Sequence, residues 1–489
     1  MRTTAPSSAP SCTIDRPHPA ARAPPRPGRL SAGPGRHHKS FIMHTRTVIG
    51  LFLGVLALAW GLDVVVLQAP LQGDWPWLLR QQSLYLTGIW SIGLMSLVMI
   101  LALRPAWLER PLGGMDRVYR LHKWAGILAV AFGLAHWLAK LASGPLKTLI
   151  GVAGRAPRPA ALPWFENARD FAKDVGEWGL YVLLAMLLIT LWRRVPYHAW
   201  RWVHRAMPLL YLALVAHAVA LLPRQHWLGA TGVLLAPLMA GGVLAAWRVL
   251  RGRVGQRRKV GGKVVALSQP ALGGQTAGVL ELVCELDTGW PGHRPGQFAF
   301  LTLDRAEGAH PYTIASAPGP DRRVTFQIKE LGDYTRGLAA RVRPGQRVTV
   351  EGPYGCFQPA PRQPEAMQIW VAGGIGITPF LSWLQAMQAD PDAAPRAHLH
   401  YCVRDAGADP FVARLRAMCD ALPSITLTVY DGRGGQGLTA AQLVSPDVAA
   451  QAEGVWFCGP AGLAALVRRE LRRAGLPGLR VHQEAFEMR

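Results

Sequence analysis

Four histidines set in apolar sequence constrain this chain more than any other feature. His122 and His136 lie fourteen residues apart within the apolar stretch 119–141, and His204 and His217 lie thirteen apart in the stretch 203–222. Helical rise makes each separation roughly 20 Å, inside a hydrocarbon core about 30 Å thick. Two such helices side by side offer two imidazoles at each of two depths. Two stacked b-type haems need that arrangement, with one imidazole on each side of each iron. Fourteen residues close four turns with roughly 40° to spare, so His122 and His136 share a face; thirteen leave an ideal helix about 140° out of register. Pro208, between His204 and His217, offers a kink that would absorb the misfit. Gly126 and Gly133, one turn inside the first pair, leave room for a flat ring. The competing reading is that these histidines pair with polar neighbours or face water. Ionisable groups in lipid are costly and usually functional, and four on two segments at matched depth favour haem.

The rest of the chain has to house that centre. Its 489 residues suffice for two or three domains, half of them are hydrophobic, and 18 are Trp, which suits interfacial anchoring. The charge of +23 is not read as nucleic-acid binding. The basic residues cluster at the ends of apolar runs and in the N-terminal tail, which fits lipid headgroups and the positive-inside rule. Six scattered Cys without a Cys-x-x-Cys support neither an iron–sulfur cluster nor a zinc site. Five of them follow residue 280, which points to a reducing compartment for that half.

Residues 1–42, rich in Pro, Arg, Ala and Ser, are expected to be a disordered tail. Met43 is a candidate start, so the tail need not be translated; a mass spectrum of the N-terminus decides this. Six membrane spans are expected, at 45–67, 83–103, 119–141, 178–192, 204–222 and 227–250. Arg104, Arg110, Arg117 and Arg120, then Arg193, Arg194 and Arg201, and then the basic run after the last span all belong on the cytoplasmic side. His122 and His204 then lie near the inner face and His136 and His217 nearer the outer. The polar stretch 165–178 reads as an amphipathic helix along the interface. His198 and His226 sit at span ends and are weaker candidates.

After residue 259 period-two patterns take over. Stretches 263–268, 279–286, 297–303, 324–330 and 347–351 read as strands of a small antiparallel barrel. From about 367 strands alternate with helices, at 368–372, 398–403, 426–430 and 454–458, which indicates a parallel, doubly wound sheet. The expected fold is therefore a multidomain membrane protein, with a six-helix transmembrane bundle at 43–252. An antiparallel β-barrel follows at 259–360 and an α/β doubly wound nucleotide domain at 361–489. Gly373-Gly374-Ile375-Gly376-Ile377-Thr378-Pro379 follows the first strand of that domain. It can expose backbone N–H groups at a helix N-terminus to a pyrophosphate, although a plain tight turn would look similar. Phe457-Cys458-Gly459-Pro460 ends a later strand at the same edge, where Cys458 is placed to touch a nicotinamide or is simply a small buried residue. In the barrel, His310-Pro311-Tyr312-Thr313-Ile314-Ala315-Ser316-Ala317-Pro318 offers Tyr312 to pack on a flat ring. Thr313 and Ser316 there can hydrogen-bond its polar edge; a strand with a satisfied Tyr is the rival.

With these strings in family order, the chain resembles the ferric reductase and NADPH oxidase superfamily over residues 45–489, and its soluble half resembles ferredoxin–NADP reductase-type flavoproteins. The likeness also rests on Gly332-Asp333-Tyr334-Thr335 and Gly352-Pro353-Tyr354-Gly355. It implies that His310, Pro311, Tyr312 and Thr313 hold the flavin ring of FAD, with Lys329, Gly332 and Thr335 near its pyrophosphate. It further implies that Gly373, Gly374, Gly376 and Thr378 form the nicotinamide-nucleotide phosphate loop, and that Cys458, Gly459 and Pro460 lie near the nicotinamide. Arg404, just after the second strand of that domain, is placed to meet a 2′-phosphate, which favours NADPH over NADH; a plain surface arginine is the rival. Phe486, near the carboxyl end, is a candidate flavin-stacking aromatic, and with Cys458 it is the candidate catalytic pair. In the family a thirteen-residue pair also ligates haem. No EF-hand loop is present, so calcium control is not indicated.

The expected enzyme is a multi-pass protein of the cell inner (plasma) membrane with cytoplasmic soluble domains. Electrons would pass from NAD(P)H through FAD and two haem b groups to an outer acceptor, a ferric chelate or oxygen. One alternative is an electron-donating subunit for a periplasmic partner protein. A transporter or sensor that merely binds nucleotide is the other.

Overall fold

The structure, a computed structural model, describes residues 44–484 apart from 68–70, 156, 158–159, 161, 193–194, 196, 273–274, 277, 305–306, 333, 436 and 445. The expected tail, Asp333 and Phe486 lie outside the described residues.

The first half is helical: α1 (Thr45–Leu67), α2 (Trp75–Ala102), α3 (Ala106–Leu112), α4 (Met115–Leu141), α5 (Ser143–Ile150), α6 (Arg169–Leu191), α7 (Tyr197–Arg205), α8 (Met207–Leu221), α9 (Arg224–Leu228) and α10 (Ala230–Leu250). Among the described residues six segments are long and apolar enough to cross a membrane, and they include α1, α2, α4, α6, α8 and α10. The second span starts at Trp75, earlier than expected, because Arg80 need not end it. Its guanidinium donates to the carbonyls of Ala139 and Lys140 at 2.9 and 3.1 Å, in the last turn of α4. Carbonyls in a last helical turn need partners from outside the helix, and that of Lys140 also accepts from Ser143 Oγ at 3.0 Å. The expected interfacial helix at 165–178 is instead largely the polar start of α6, continuous with the fourth span. Its charges are paired, Lys173 with Asp170 at 2.5 Å and Glu177 with Lys140 at 2.6 Å.

Helix α2 is the hub, packed on α1, α4, α8 and α10. Lipid tails give apolar side chains no reason to prefer a neighbouring helix, so small residues and interhelical hydrogen bonds must hold the bundle. Ser91 Oγ donates to the Ala129 carbonyl of α4 at 2.9 Å. Ser96 Oγ lies 2.9 Å from the Tyr211 hydroxyl of α8, which donates to the Met239 carbonyl of α10 at 3.2 Å. Each such bond is worth on the order of 0.6 kcal/mol.

The chain then forms β1 (Lys259–Ser268), β2 (Ala271–Leu272), β3 (Gln275–Thr276), β4 (Val279–Leu286), β5 (Phe298–Thr302), β6 (His310–Thr313), β7 (Arg323–Lys329), α11 (Leu338–Arg341) and β8 (Arg347–Tyr354). The main sheet is antiparallel, in the order β6-β5-β8-β1-β4-β7, and an isolated bridge between Ile314 and Phe326 brings its two edges together. Inside lie Leu282, Ile314, Val324, Phe326 and Val350, all fully buried; side chains of this size contribute about 1.5–3 kcal/mol each when removed from water.

The last segment runs β9 (Met367–Gly373), α12 (Thr378–Met387), β10 (Arg396–Val403), α13 (Val412–Asp420), β11 (Ile425–Asp431), α14 (Ala440–Leu443), α15 (Pro446–Gln451), β12 (Ala452–Cys458), α16 (Ala461–Arg473) and β13 (Val481–Glu484). Its five strands are parallel in the order β11-β10-β9-β12-β13. The chain winds outward from β9 to one side and returns to the other, so the switch point lies between β10 and β12, above the carboxyl end of β9.

The barrel docks on one end of the helical bundle. Ile49 of α1, Leu101 of α2, Leu112 of α3 and Met115, Val118 and Leu121 of α4 share one buried cluster with Phe298, Phe300 and Tyr354 of the barrel. Polar ties cross the same joint. Arg104 Nη1 meets Glu351 Oε1 at 2.7 Å and its guanidinium lies 3.9 Å over the Phe300 ring. The Gly355 N–H donates to Glu109 at 2.5 Å, and Arg258 donates to the Pro353 carbonyl at 2.7 Å. Arg104 adopts φ +55°, a left-handed conformation costing a non-glycine residue about 1–3 kcal/mol, which its contacts across the joint must offset.

Candidate functional site

The structure brings the four histidines together as two pairs. The imidazole centres of His122 and His204 are 6.2 Å apart, and those of His136 and His217 are also 6.2 Å apart. Imidazoles bonded to one metal from opposite sides at about 2 Å each have centres roughly 6 Å apart, so both gaps fit one metal atom. No group of three or more His, Cys, Asp or Glu converges among the described residues. Each pair supplies two ligands and no more, which suits a metal whose other ligands come with it, as in a porphyrin.

The outward nitrogens support the same reading. Nδ1 of His122 donates to the Val98 carbonyl at 3.1 Å, that of His136 to Leu84 at 2.8 Å and that of His217 to Ala172 at 2.6 Å. A carbonyl only accepts, so Nδ1 carries the proton and Nε2 keeps the lone pair a metal needs. Glycines make space for the outer rings. A Cβ on Gly88 would lie 2.9 Å from His136 Nδ1, and one on Gly176 would strike the His217 ring. Gly126 faces open space, as expected for a flat ring, whereas Gly133 packs against Ser91 and Leu180 and serves helix contact.

The thirteen-residue misfit is absorbed one step from where Pro208 points. His204 is on α7 and His217 on α8, with the helices broken at Ala206 and Pro208 in the first turn of α8. The pair His122/His204 is nearer the barrel, since Leu121 beside His122 packs in the cluster with Phe298 and Tyr354.

In the barrel, His310, Pro311, Tyr312 and Thr313 form the strand β6 at the sheet edge. His310 stacks on Tyr334, with centres 4.2 Å apart and planes 10° apart. Thr313 Oγ1 and the Tyr334 hydroxyl are buried without hydrogen-bond partners, whereas His310 Nε2 faces the Glu307 carboxylate at 3.5 Å. Such orphaned polar atoms are costly unless a ligand satisfies them, which fits a flavin on this strand. Other candidates there are already occupied. Ser316 Oγ accepts from the Thr325 N–H at 3.1 Å, and its carbonyl accepts from Ser382 of α12 at 2.7 Å, tying barrel to nucleotide segment. Thr335 Oγ1 accepts from the Leu331 and Gly332 N–H groups at 2.9 and 3.1 Å.

At the switch point, Gly373 ends β9, and Gly374 (φ +53°), Gly376 and Thr378 lead into α12. A Cβ on Gly376 would strike the Cys458 carbonyl, and one on Gly373 would crowd Pro460 and Leu463. Two of the glycines therefore let the β9 and β12 loops touch, with Gly459 on the other side of the contact. Beside Gly374 is a cavity of about 150 Å³ lined by Lys329, Arg404, Asp409 and Phe411 among others. Lys329, expected near a flavin pyrophosphate, lies beside the Gly374 turn and Arg404. The Cys458 thiol is fully buried; burial, with Glu484 adding to it, pushes its pKa well up. It can offer van der Waals contact but not a thiolate. Glu484 closes the same corner. Burial, reinforced by Asp116 and Glu109, pushes its carboxyl well above the usual range. The sequence reading missed Glu484, whose only cue was its nearness to Phe486, and Tyr334 as the stacking partner of His310.

Residues 87–215 match the family model described as the ferric reductase like transmembrane component, which takes in His122, His136 and His204 and stops two residues short of His217. Residues 276–358 match an FAD-binding domain. The chain therefore joins two modules, a transmembrane component and a flavin-binding reductase domain. That combination is the build of a ferric reductase/NADPH oxidase-type fusion.

Over 200 residues the chain is 25% identical to the anthranilate 1,2-dioxygenase electron transfer component of Acinetobacter baylyi, covering 39% of this chain and 57% of that protein. Over 201 residues it is 29% identical to the 3-ketosteroid-9-alpha-monooxygenase ferredoxin reductase component of Mycolicibacterium smegmatis, covering 40% and 56%. The chain thus spans little more than half the length of these relatives. A solved flavohemoglobin from Malassezia yamatoensis with bound FAD and heme superposes with a TM-score of 0.45 at 17% identity, covering 83% of this chain and 97% of that one.

Proposed function

We propose that the protein is a membrane oxidoreductase that takes electrons from NAD(P)H on the side of its soluble segments and delivers them across the bilayer to an acceptor, for which a ferric chelate is the first choice and oxygen the second. The observation that carries this reading is the matched 6.2 Å spacing of two histidine pairs at two depths, one of them beside the docked barrel. Bound FAD and two haem b groups would supply the electron chemistry, turning the electron pair of a hydride into single electrons and carrying them through lipid.

The chain's own residues hold and orient. His122 with His204 would hold the inner centre, and His136 with His217 the outer one. The Val98, Leu84 and Ala172 carbonyls keep three of the rings in the ligating tautomer. His310, Pro311, Tyr312 and Thr313 seat the flavin ring. Gly374, Thr378 and the first turn of α12 face the nucleotide phosphates, with Lys329 and Arg404 offering charge. Gly459 and Pro460 shape the nicotinamide corner, Cys458 packs beneath it, and Phe486 is assigned to the flavin face. With two imidazoles committed to each centre, the protein would keep the acceptor outside the histidine pair. The soluble segments are assigned to the cytoplasm and the acceptor to the outside of the inner membrane by the basic loops.

The test is a spectrum and an assay together. The purified protein should give a b-type spectrum on dithionite reduction. Membranes containing it should oxidise NAD(P)H faster with ferric citrate than with oxygen. Absence of a Soret band after haem supplementation, together with no NAD(P)H oxidation, rejects the reading in favour of a nucleotide-binding transporter or sensor. Negligible reduction of either acceptor, with a stoichiometric outer protein in pull-downs, favours the subunit alternative.

Coenzyme choice is tested separately. Arg404 is exposed at the end of β10 and lines the cavity beside Gly374. Arg404→Ala should raise the KM for NADPH by roughly 10–100-fold, the worth of a charge-assisted hydrogen bond, and leave that for NADH unchanged. Equal effects on both coenzymes would remove Arg404 from the 2′-phosphate.

A further inference from the structure

The four candidate ligands are not held alike. Three donate Nδ1–H to a carbonyl, whereas Nδ1 of His204 is buried with no hydrogen-bond partner. Trp200, one turn earlier on α7, takes the place of that bond. Its indole lies over the imidazole with ring centres 4.9 Å apart and planes 17° apart. The indole is anchored in turn. Its Nε1 donates to Thr190 Oγ1 at 3.0 Å, and Thr190 donates on to the Met186 carbonyl at 2.8 Å, which fixes the stack to α6.

Resting on the bis-imidazole reading above, we propose that Trp200 is the positioning residue for His204, and that it makes the inner centre electronically distinct from the outer one. A hydrogen bond from Nδ1 does two things to a ligating histidine: it fixes the ring and it makes the other nitrogen a stronger donor. A stacked indole does only the first. It holds the ring plane by contact. His204 is thereby oriented without being made more basic. The outer pair has both rings hydrogen-bonded; the inner pair has one. The two sites therefore differ in how many of their imidazoles are made better donors by a hydrogen bond. Removing the indole leaves His204 with no fixing contact, so the inner centre alone should suffer.

The experiment uses the full-length protein purified with haem, as wild type, Trp200→Phe, Trp200→Leu and His122→Leu. Haem per chain is measured by pyridine haemochromogen, and the low-spin ferric signals by low-temperature EPR, with His122→Leu marking which signal is the inner one. Trp200→Leu should broaden or remove the inner signal and lower haem per chain from two towards one, with the outer signal unmoved. Trp200→Phe, which keeps a stacking face, should retain both haems with a shift confined to the inner signal and its potential. Trp200→Leu with wild-type occupancy and signals overturns the inference, as does an equal loss of both centres, which marks general unfolding. A wild-type protein with no haem rejects the bis-imidazole reading itself, and this inference falls with it.

Discussion

Replacing His217 or His136 by leucine should abolish reduction of the outer acceptor while leaving the flavin fully reducible by NADPH. The reason is geometric. Each outer imidazole is one side of a 6.2 Å gap, and its Nδ1 is tied to the Leu84 or Ala172 carbonyl. Leucine fills similar volume but offers no lone pair, so the proposed outer centre would lose one of its two protein ligands. The inner pair is roughly 20 Å away along the helices, beyond direct influence, and the barrel joint is further still. The expected record is one remaining b-type centre, reducible from NADPH, with acceptor turnover at background. Full turnover in either variant would break the proposed order of centres. Loss of the inner centre as well would show that the two sites fold as one unit.

Glu351→Ala should uncouple the two halves. Glu351 is 2% exposed and meets Arg104 at 2.7 Å, Lys259 at 3.8 Å and the Tyr354 hydroxyl at 2.9 Å. Its removal leaves the Arg104 guanidinium in the joint without its carboxylate. Breaking a buried pair from one side costs about 3–5 kcal/mol, because the remaining charge stays desolvated. Arg104 belongs to the membrane half and Glu351 to the barrel, so the loss falls on the joint between them. NADPH should still reduce a soluble dye through the flavin, haem reduction by NADPH should slow at least tenfold, and the first thermal transition should drop. An unchanged rate and melting profile would show that the apolar cluster around Phe298 and Tyr354 holds the joint without the ion pair.

How far the sequence could be read follows from how local each signal is. The spacing of His122, His136, His204 and His217 is local and was sufficient to pair them at two depths. Strands β4, β7 and β9 show their period or apolar run over several residues, and the expected bounds fell within a residue or two of those observed. Strand β6, only four residues long with Pro311 inside, was legible only as the rival reading of the His310–Pro318 string, and the four-residue β13 was not legible. The polar start of α6 misled because its charges look solvated until their partners, Lys140 above all, are known. Arg80 misled for the same reason, its acceptors lying almost sixty residues along the chain. Orphaned atoms, ring stacks and the meeting of Gly376 with Cys458 depend on distant segments and leave no trace in spacing.

The break at Ala206 reaches beyond the fit of one helix. An unbroken fifth helix would weld its two imidazoles into one rod, and any change in pitch or tilt would displace both together. As built, His204 travels with the short α7, whose Arg201 donates to the Glu307 carbonyl of the barrel, while His217 belongs to α8, packed against α6, α10 and α2. The two histidine pairs thus answer to different neighbours, the inner one to the barrel and the outer one to the helices around α8.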